Sequence, residues 1–109
     1  MKQINRIKAN KDFALTIKKG KCFKSASYVI HICNNELNHT RVGISVSKKI
    51  GNAVTRNKIK RQVRSMVDVL IDCKVSSKDM VIVVRKEYLS NAFETNKTLL
   101  NELVKNRLD

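Results

Sequence analysis

Residues 42–64 read VGISVSKKIGNAVTRNKIKRQVR, and two periodicities meet inside them. Val42, Ile44 and Val46 alternate with Gly43, Ser45 and Ser47, the period-two pattern of a strand with one apolar face. From about Asn52 to Asp72 the period becomes helical, and Ile59, Val63, Met66, Val67 and Leu70 fall on one stripe. A strand feeding a long amphipathic helix predicts a sheet with helices packed on it.

Upstream, YVIHIC (28–33) is strand-like, with Tyr28, Ile30 and Ile32 on one face and Val29, His31 and Cys33 on the other. NNELNH (34–39) reads as a polar turn, so 28–33 and 41–47 are expected to pair as an antiparallel hairpin. Asn10 is suited to cap a first helix through Phe13, Ala14 and Ile17, which Gly20 would stop. Downstream, KVSSK (74–78) is a turn, and the continuous apolar run in DMVIVVRK (79–86) predicts a central strand covered on both faces. A last amphipathic segment, about 92–107, runs through Phe93, Leu100, Leu103 and Val104. The expected class is α+β, a single-domain α-β sandwich over residues 1–109.

The chain has 109 residues, 23 of them Lys or Arg against 9 Asp or Glu, a formal charge of +14. At 42% hydrophobic it is no disordered basic tail. No run approaches the ~20 apolar residues that span a bilayer, and the start, MKQINRIKANKDF, lacks the apolar stretch of a secretory signal. A cytoplasmic protein whose partner is a polyanion is the expectation. The charge is also unevenly placed. Residues 1–24 carry eight cations and one acid, residues 41–64 eight cations and no acid, and residues 65–109 seven of each. Like charges at that density repel, and no i,i+4 Glu relieves them, which favours a nucleic-acid surface over a merely solvated helix face.

At ~100° per residue, Asn57, Lys60, Arg61 and Arg64 fall within about 100° of one another, an arc expected opposite the apolar stripe. Arg forks engage phosphate at two points, Lys supplies a compact charge, and Asn bonds sugar or base edges. Lys48 and Lys49 precede the helix, and Gly51-Asn52 opens it, where backbone N–H groups favour an anion.

Other chemistries are weaker. Cys22, Cys33 and Cys73 fit no C-x-x-C spacing and read as reduced thiols, so no metal site is expected from them with His31 or His39. A two-histidine ribonuclease would need His31 and His39 convergent. Asp68 and Asp72 form an i,i+4 pair whose ordinary reading is a polar helix face. No catalytic residue is assigned.

The segment Lys48 to Arg64, K-K-I-G-N-A-V-x-R-N-x-I-K-R-x-x-R, resembles the signature of the bacterial ribonuclease P protein family. The likeness continues upstream through R-V-G-I-S-V-S and in R-I-K-x-N-x-D-F, Arg6 to Phe13, and so covers essentially the whole chain. It implies the order αβββαβα with a left-handed crossover over residues 41–86. It further implies an accessory subunit of an RNA-based endoribonuclease. There the catalytic RNA hydrolyses precursor tRNA with Mg2+ held mainly by RNA and substrate, removing the 5′ leader. Lys48, Lys49, Asn52, Arg56, Asn57, Lys60, Arg61 and Arg64 would contact the RNA subunit. Phe13, Ile17, Val29 and His31 match the positions of a cleft for the single-stranded leader, where bases stack and positive charge assists. Ile17 and His31 stand where family members often carry aromatic residues; Phe13 as a plain core contact and His31 as an incidental strand residue are the ordinary alternatives. No membrane and no obligate protein partner are implied. A small ribosomal or RNA-chaperone protein and a self-sufficient basic nuclease are the competing classes.

Overall fold

A computed structural model describes residues 5–71, 77–105 and 107. The order is α1 (Asn10–Lys19), β1 (Lys21–Lys24), β2 (Tyr28–Asn34), β3 (Arg41–Val46), α2 (Ala53–Leu70), β4 (Lys78–Val84), a 3-10 turn (Lys86–Ser90) and α3 (Phe93–Val104). Cys73, Asp72 and most of the 74–78 turn lie outside the described residues.

The strands lie in the order β1-β2-β4-β3. β4, apolar at five consecutive positions from Met80 to Val84, takes the central slot that its continuous run predicted. It pairs antiparallel with β2 and parallel with β3. The expected hairpin between 28–33 and 41–47 therefore does not form. Both segments alternate and so need only one apolar neighbour face, whereas β4 must be covered on two and displaces them to either side. β2 forms its hairpin with β1 instead.

One face of the sheet carries Tyr28, Ile30, Ile32, Val42, Met80, Ile82 and Val84, packed against Ile59, Val63, Met66 and Val67 of α2 and Leu100, Leu103 and Val104 of α3. Phe93, at the start of α3, remains partly exposed. The Tyr28 hydroxyl donates to the Asn96 carbonyl at 3.0 Å and approaches Met66 Sδ at 3.4 Å. Burial pushes the Tyr28 phenol well above its usual range, with Tyr88 adding to the shift. Asn96 is itself buried; its Oδ1 accepts from Ser27 Oγ and its Nδ2 donates to the Tyr88 carbonyl at 3.0 Å. One amide thus ties α3 to β2 and the 3-10 turn, with few unmet polar groups left behind.

The handedness of the β3–α2–β4 unit follows from one edge contact. The Val42 carbonyl accepts the Ile7 amide at 3.1 Å, so the backbone polar groups of Val42 point away from β4. Viewed from the face bearing the Val42 side chain, with β3 running upward, the N–H and C=O of that L-residue point right. β4 therefore lies to the left of β3, and α2 sits in front. The crossover is left-handed, the rare sense for parallel strands.

α1 packs on the opposite face. Its cap is Ala9, with no side-chain cap; Asn10 is already helical, because the Ala9 carbonyl accepts from Asp12 and Phe13 once residues 6–7 are fixed on the β3 edge. Gly20 ends the helix in an extended conformation with φ −71°, so left-handed freedom is not its purpose. A Cβ there would lie 2.5 Å from the Thr16 carbonyl oxygen and 2.9 Å from the Ile32 nitrogen.

Below α1, Arg41 donates to Asp79 through Nε at 3.0 Å and Nη2 at 2.6 Å, and to Asp12 through Nη1 at 3.3 Å. Burial raises the Asp79 pKa, but hydrogen bonds from Arg41 and Asn35, with the Arg41 charge, outweigh it and hold the carboxyl below its usual range. A carboxylate so depressed stabilises the fold above its unfolded pKa and loses that contribution as pH falls through the folded value. Asp79→Ala should cost on the order of 2–4 kcal/mol at pH 7 in denaturant unfolding. The gap from wild type should narrow as pH falls below about 4; a gap unchanged down to the acid limit would show that the pair contributes nothing.

Candidate nucleic-acid interface

The loop from β3 to α2 is short and internally bonded. The Ser47 Oγ accepts the Lys49 amide at 3.1 Å and the Ser47 carbonyl accepts that of Ile50 at 3.0 Å. Ile50 turns into the core while Lys48 and Lys49 stand exposed. Asn52 is the helix cap, its Oδ1 accepting the Thr55 amide at 2.9 Å, so this expected RNA contact has a structural duty as well. The first turn of α2 contains no acid, and Arg56 lies there with Nη1 on the Gly51 carbonyl at 3.4 Å. A cation near a helix N-terminus opposes the dipole, which an incoming phosphate would relieve.

The cationic arc does not lie wholly opposite the apolar stripe. Asn57 and Arg61 are exposed, but Lys60 and Arg64 are half-buried on the flank turned toward β3. The reason is angular: residues 60 and 64 each sit one turn from buried Val63 and Val67, so their stems border the core while their heads reach out. Arg41, counted in the basic segment, is neutralised by Asp12 and Asp79 from other elements.

On the α1 side of the sheet the strands set out side chains in rows. Cys22, His31, Val81 and Gly43 share one row, and Lys24, Val29, Val83 and Ser45 the next. The Phe13 ring lies over Gly43, occupying the space in which a Cβ would stand. Gly43 is therefore the reason the ring can lie against the strand. Thr16 is buried near Cys33, 3.9 Å from its sulfur, so α1 covers the Cys33–Asp79–Arg41 end and leaves Val29, Val83 and Ser45 half-exposed. Phe13, Val29 and His31 share this face; Ile17, one turn beyond Phe13, is exposed at 43%. Burial, with Lys24 assisting, lowers the His31 pKa, so the imidazole is neutral at pH 7, and its Nδ1 is buried without a partner.

Gly43, Ser45 and Val83 escaped the sequence reading. A glycine inside an alternating strand was the available signal, but nothing in the sequence named the ring above it. His31 and His39 are not brought together: His39 borders a cavity with Arg6, Lys8, Asp12 and Arg41 at the other end of the sheet. Among the described residues, no group of three His, Cys, Asp or Glu stands where it could hold a metal ion. No helix among them is long and apolar enough to cross a membrane.

The family model for ribonuclease P matches residues 1–107. The chain belongs to the ribonuclease P protein family. It is 43% identical over 105 residues to the ribonuclease P protein component of Mesoplasma florum, covering 95% of this chain and 96% of that one. Against the Streptococcus pneumoniae component (strain Hungary19A-6) it is 44% identical over 105 residues, covering 94% and 85%. The ribonuclease P protein of Staphylococcus aureus superposes with a TM-score of 0.83 at 39% identity, covering 93% of each chain. That of Thermotoga maritima gives 0.80 at 31%, covering 95% and 97%. Membership places the chain with a tRNA-processing nuclease, as its protein subunit, and the element order αβββαβα is that of the family.

The Phe13–Gly43 contact yields a direct test within this ribonuclease P protein. Gly43→Ala should cost about 1–3 kcal/mol through overpacking, measured by denaturant unfolding. In a Phe13→Ala background the same change should cost almost nothing; an equal cost in both backgrounds would place the ring elsewhere.

Proposed function

We propose that this chain serves the catalytic ribonuclease P RNA in two ways, binding it through the α2 surface and holding the 5′ leader of precursor tRNA on the α1 face of the sheet. The observation that carries the reading is the convergence of cations on α2 and its preceding loop, a stretch that holds no acid from residue 47 to 64, beside a half-exposed sheet face that carries an aromatic ring. Lys48, Lys49, Arg56, Asn57, Lys60, Arg61 and Arg64 would neutralise and position phosphates of the RNA subunit, while Asn52 sets the start of the helix that displays them. Phe13 would offer a stacking edge to an unpaired base, Val29 an apolar floor, and neutral His31 a ring that stacks without a charge to desolvate. Ile17 would add apolar contact at the rim.

Among the described residues His31 and His39 do not converge, and in this reading hydrolysis belongs to the RNA. Mg2+ held by RNA and substrate would stabilise the attacking and leaving oxygens. The protein's part is then to raise precursor affinity and steady the RNA fold, and the product is tRNA with a mature 5′ end.

Reconstitution tests this. The protein should stimulate cleavage of precursor tRNA by a bacterial ribonuclease P RNA at low Mg2+, where the RNA alone is slow. Cleavage by the protein alone would favour a self-sufficient nuclease; binding without stimulation would favour a ribosomal or chaperone role. Within the holoenzyme, Phe13→Ala should weaken precursor tRNA binding several-fold relative to mature tRNA, since stacking on one aromatic is worth about 1–3 kcal/mol, while affinity for the RNA subunit holds. Equal losses for both ligands would mark Phe13 as a core residue only.

A further inference from the structure

The two basic segments of the sequence meet in space at the outer edge of β3. Arg6 bridges to Val42 in parallel, and the Ile7 amide bonds the Val42 carbonyl, so the chain at residues 6 and 7 is held along that edge. A cavity of about 140 Å³ opens there, lined by Arg6, Arg64, Phe13, Val42, Gly43 and Ile44. Its lining includes two arginines and no acid. Arg6 Nε is buried without a hydrogen-bond partner, an expensive state for a charged donor. Asp12, the nearby acid of α1, is already engaged by Arg41.

We propose that Arg6 and Arg64 clamp a single RNA phosphate in this cavity. A phosphate in the cavity meets Arg6 from the N-terminal segment and Arg64 from α2. Two forked cations on one tetrahedral anion form a strong charge-assisted arrangement. Phe13 at the cavity wall leaves an adjoining base a ring to meet. The site joins the two basic surfaces at one nucleotide, and Arg6 becomes a binding residue that composition alone had left inside a diffuse N-terminal charge.

This inference rests on the reading that the chain binds ribonuclease P RNA and precursor tRNA. Its test uses the full chain with the RNA subunit and with precursor tRNA carrying or lacking a leader. The variants are Arg6→Gln, Arg64→Gln, their double, and Arg6→Gln combined with Arg61→Gln. Each is first checked for a wild-type unfolding transition, Arg6→Met, uncharged and with a stem of similar length, replacing Arg6→Gln if that one fails. Each single should weaken binding roughly 5- to 30-fold and lower the log–log salt slope by about one. Because both residues hold the same phosphate, the Arg6/Arg64 double should stay within about threefold of the worse single, its slope still lower by about one. The Arg6/Arg61 pair should instead multiply, with a slope loss near two. Loss in the RNA-subunit titration assigns the phosphate to that subunit; loss only with leader-bearing precursor assigns it to the leader. Unchanged binding in Arg6→Gln, or a multiplicative Arg6/Arg64 double, overturns the clamp and leaves the functional reading intact. Failure of the wild-type chain to bind either RNA overturns both.

Discussion

The whole architecture depends on covering β4 from both sides. Its apolar run is buried against α2 and α3 on one face and, apart from half-exposed Val83, is covered on the α1 side, with β2 and β3 as its lateral neighbours. A strand of that kind costs free energy wherever either face meets water, so the chain must return α2 across the sheet to place β3 alongside β4 and must bring α1 to the other side. The connection that does so here is left-handed. It sets α2 beside the same edge as the N-terminal segment, and the two concentrations of positive charge become neighbours although residues 25–40 lie between them in the chain.

Much of this was legible in the sequence because single elements carry strong periodic signals. The apolar stripe of α2, the alternation of β2 and the continuous run of β4 all fall where their patterns put them. What failed was pairing. Alternation in 28–33 and 41–47 says that each strand has one apolar face, and says nothing about which neighbour it meets; β4, later in the chain, takes the slot between them. Caps failed for a related reason. Asn10 has the right chemistry, but the turn is set one residue earlier by backbone bonds that follow from the edge pairing of residues 6 and 7.

The candidate site divides along the same line. The cations of α2 were visible as a helical arc, and only its tilt toward β3 needed coordinates. The pairing of Arg41 with Asp12 and Asp79 was invisible, since its partners come from α1 and β4. Phe13 drew notice as a site residue only through the family resemblance, yet its position depends on Gly43, a residue whose only signal was the absence of a side chain.

The fold also bears on how such a chain stays separate from its own copies before it meets RNA. A four-stranded open sheet has two unpaired edges, and each is a template for association with another molecule. Residues 6 and 7 already occupy the β3 edge through the Val42 carbonyl. The other edge, β1, is only four residues long and carries Lys21 and Lys24 with exposed side chains. A short edge strand bearing two ammonium groups repels an identical strand and gives it little length to pair with. Positive charge on this edge therefore opposes self-assembly, and the short strand leaves little backbone for a second copy to template on.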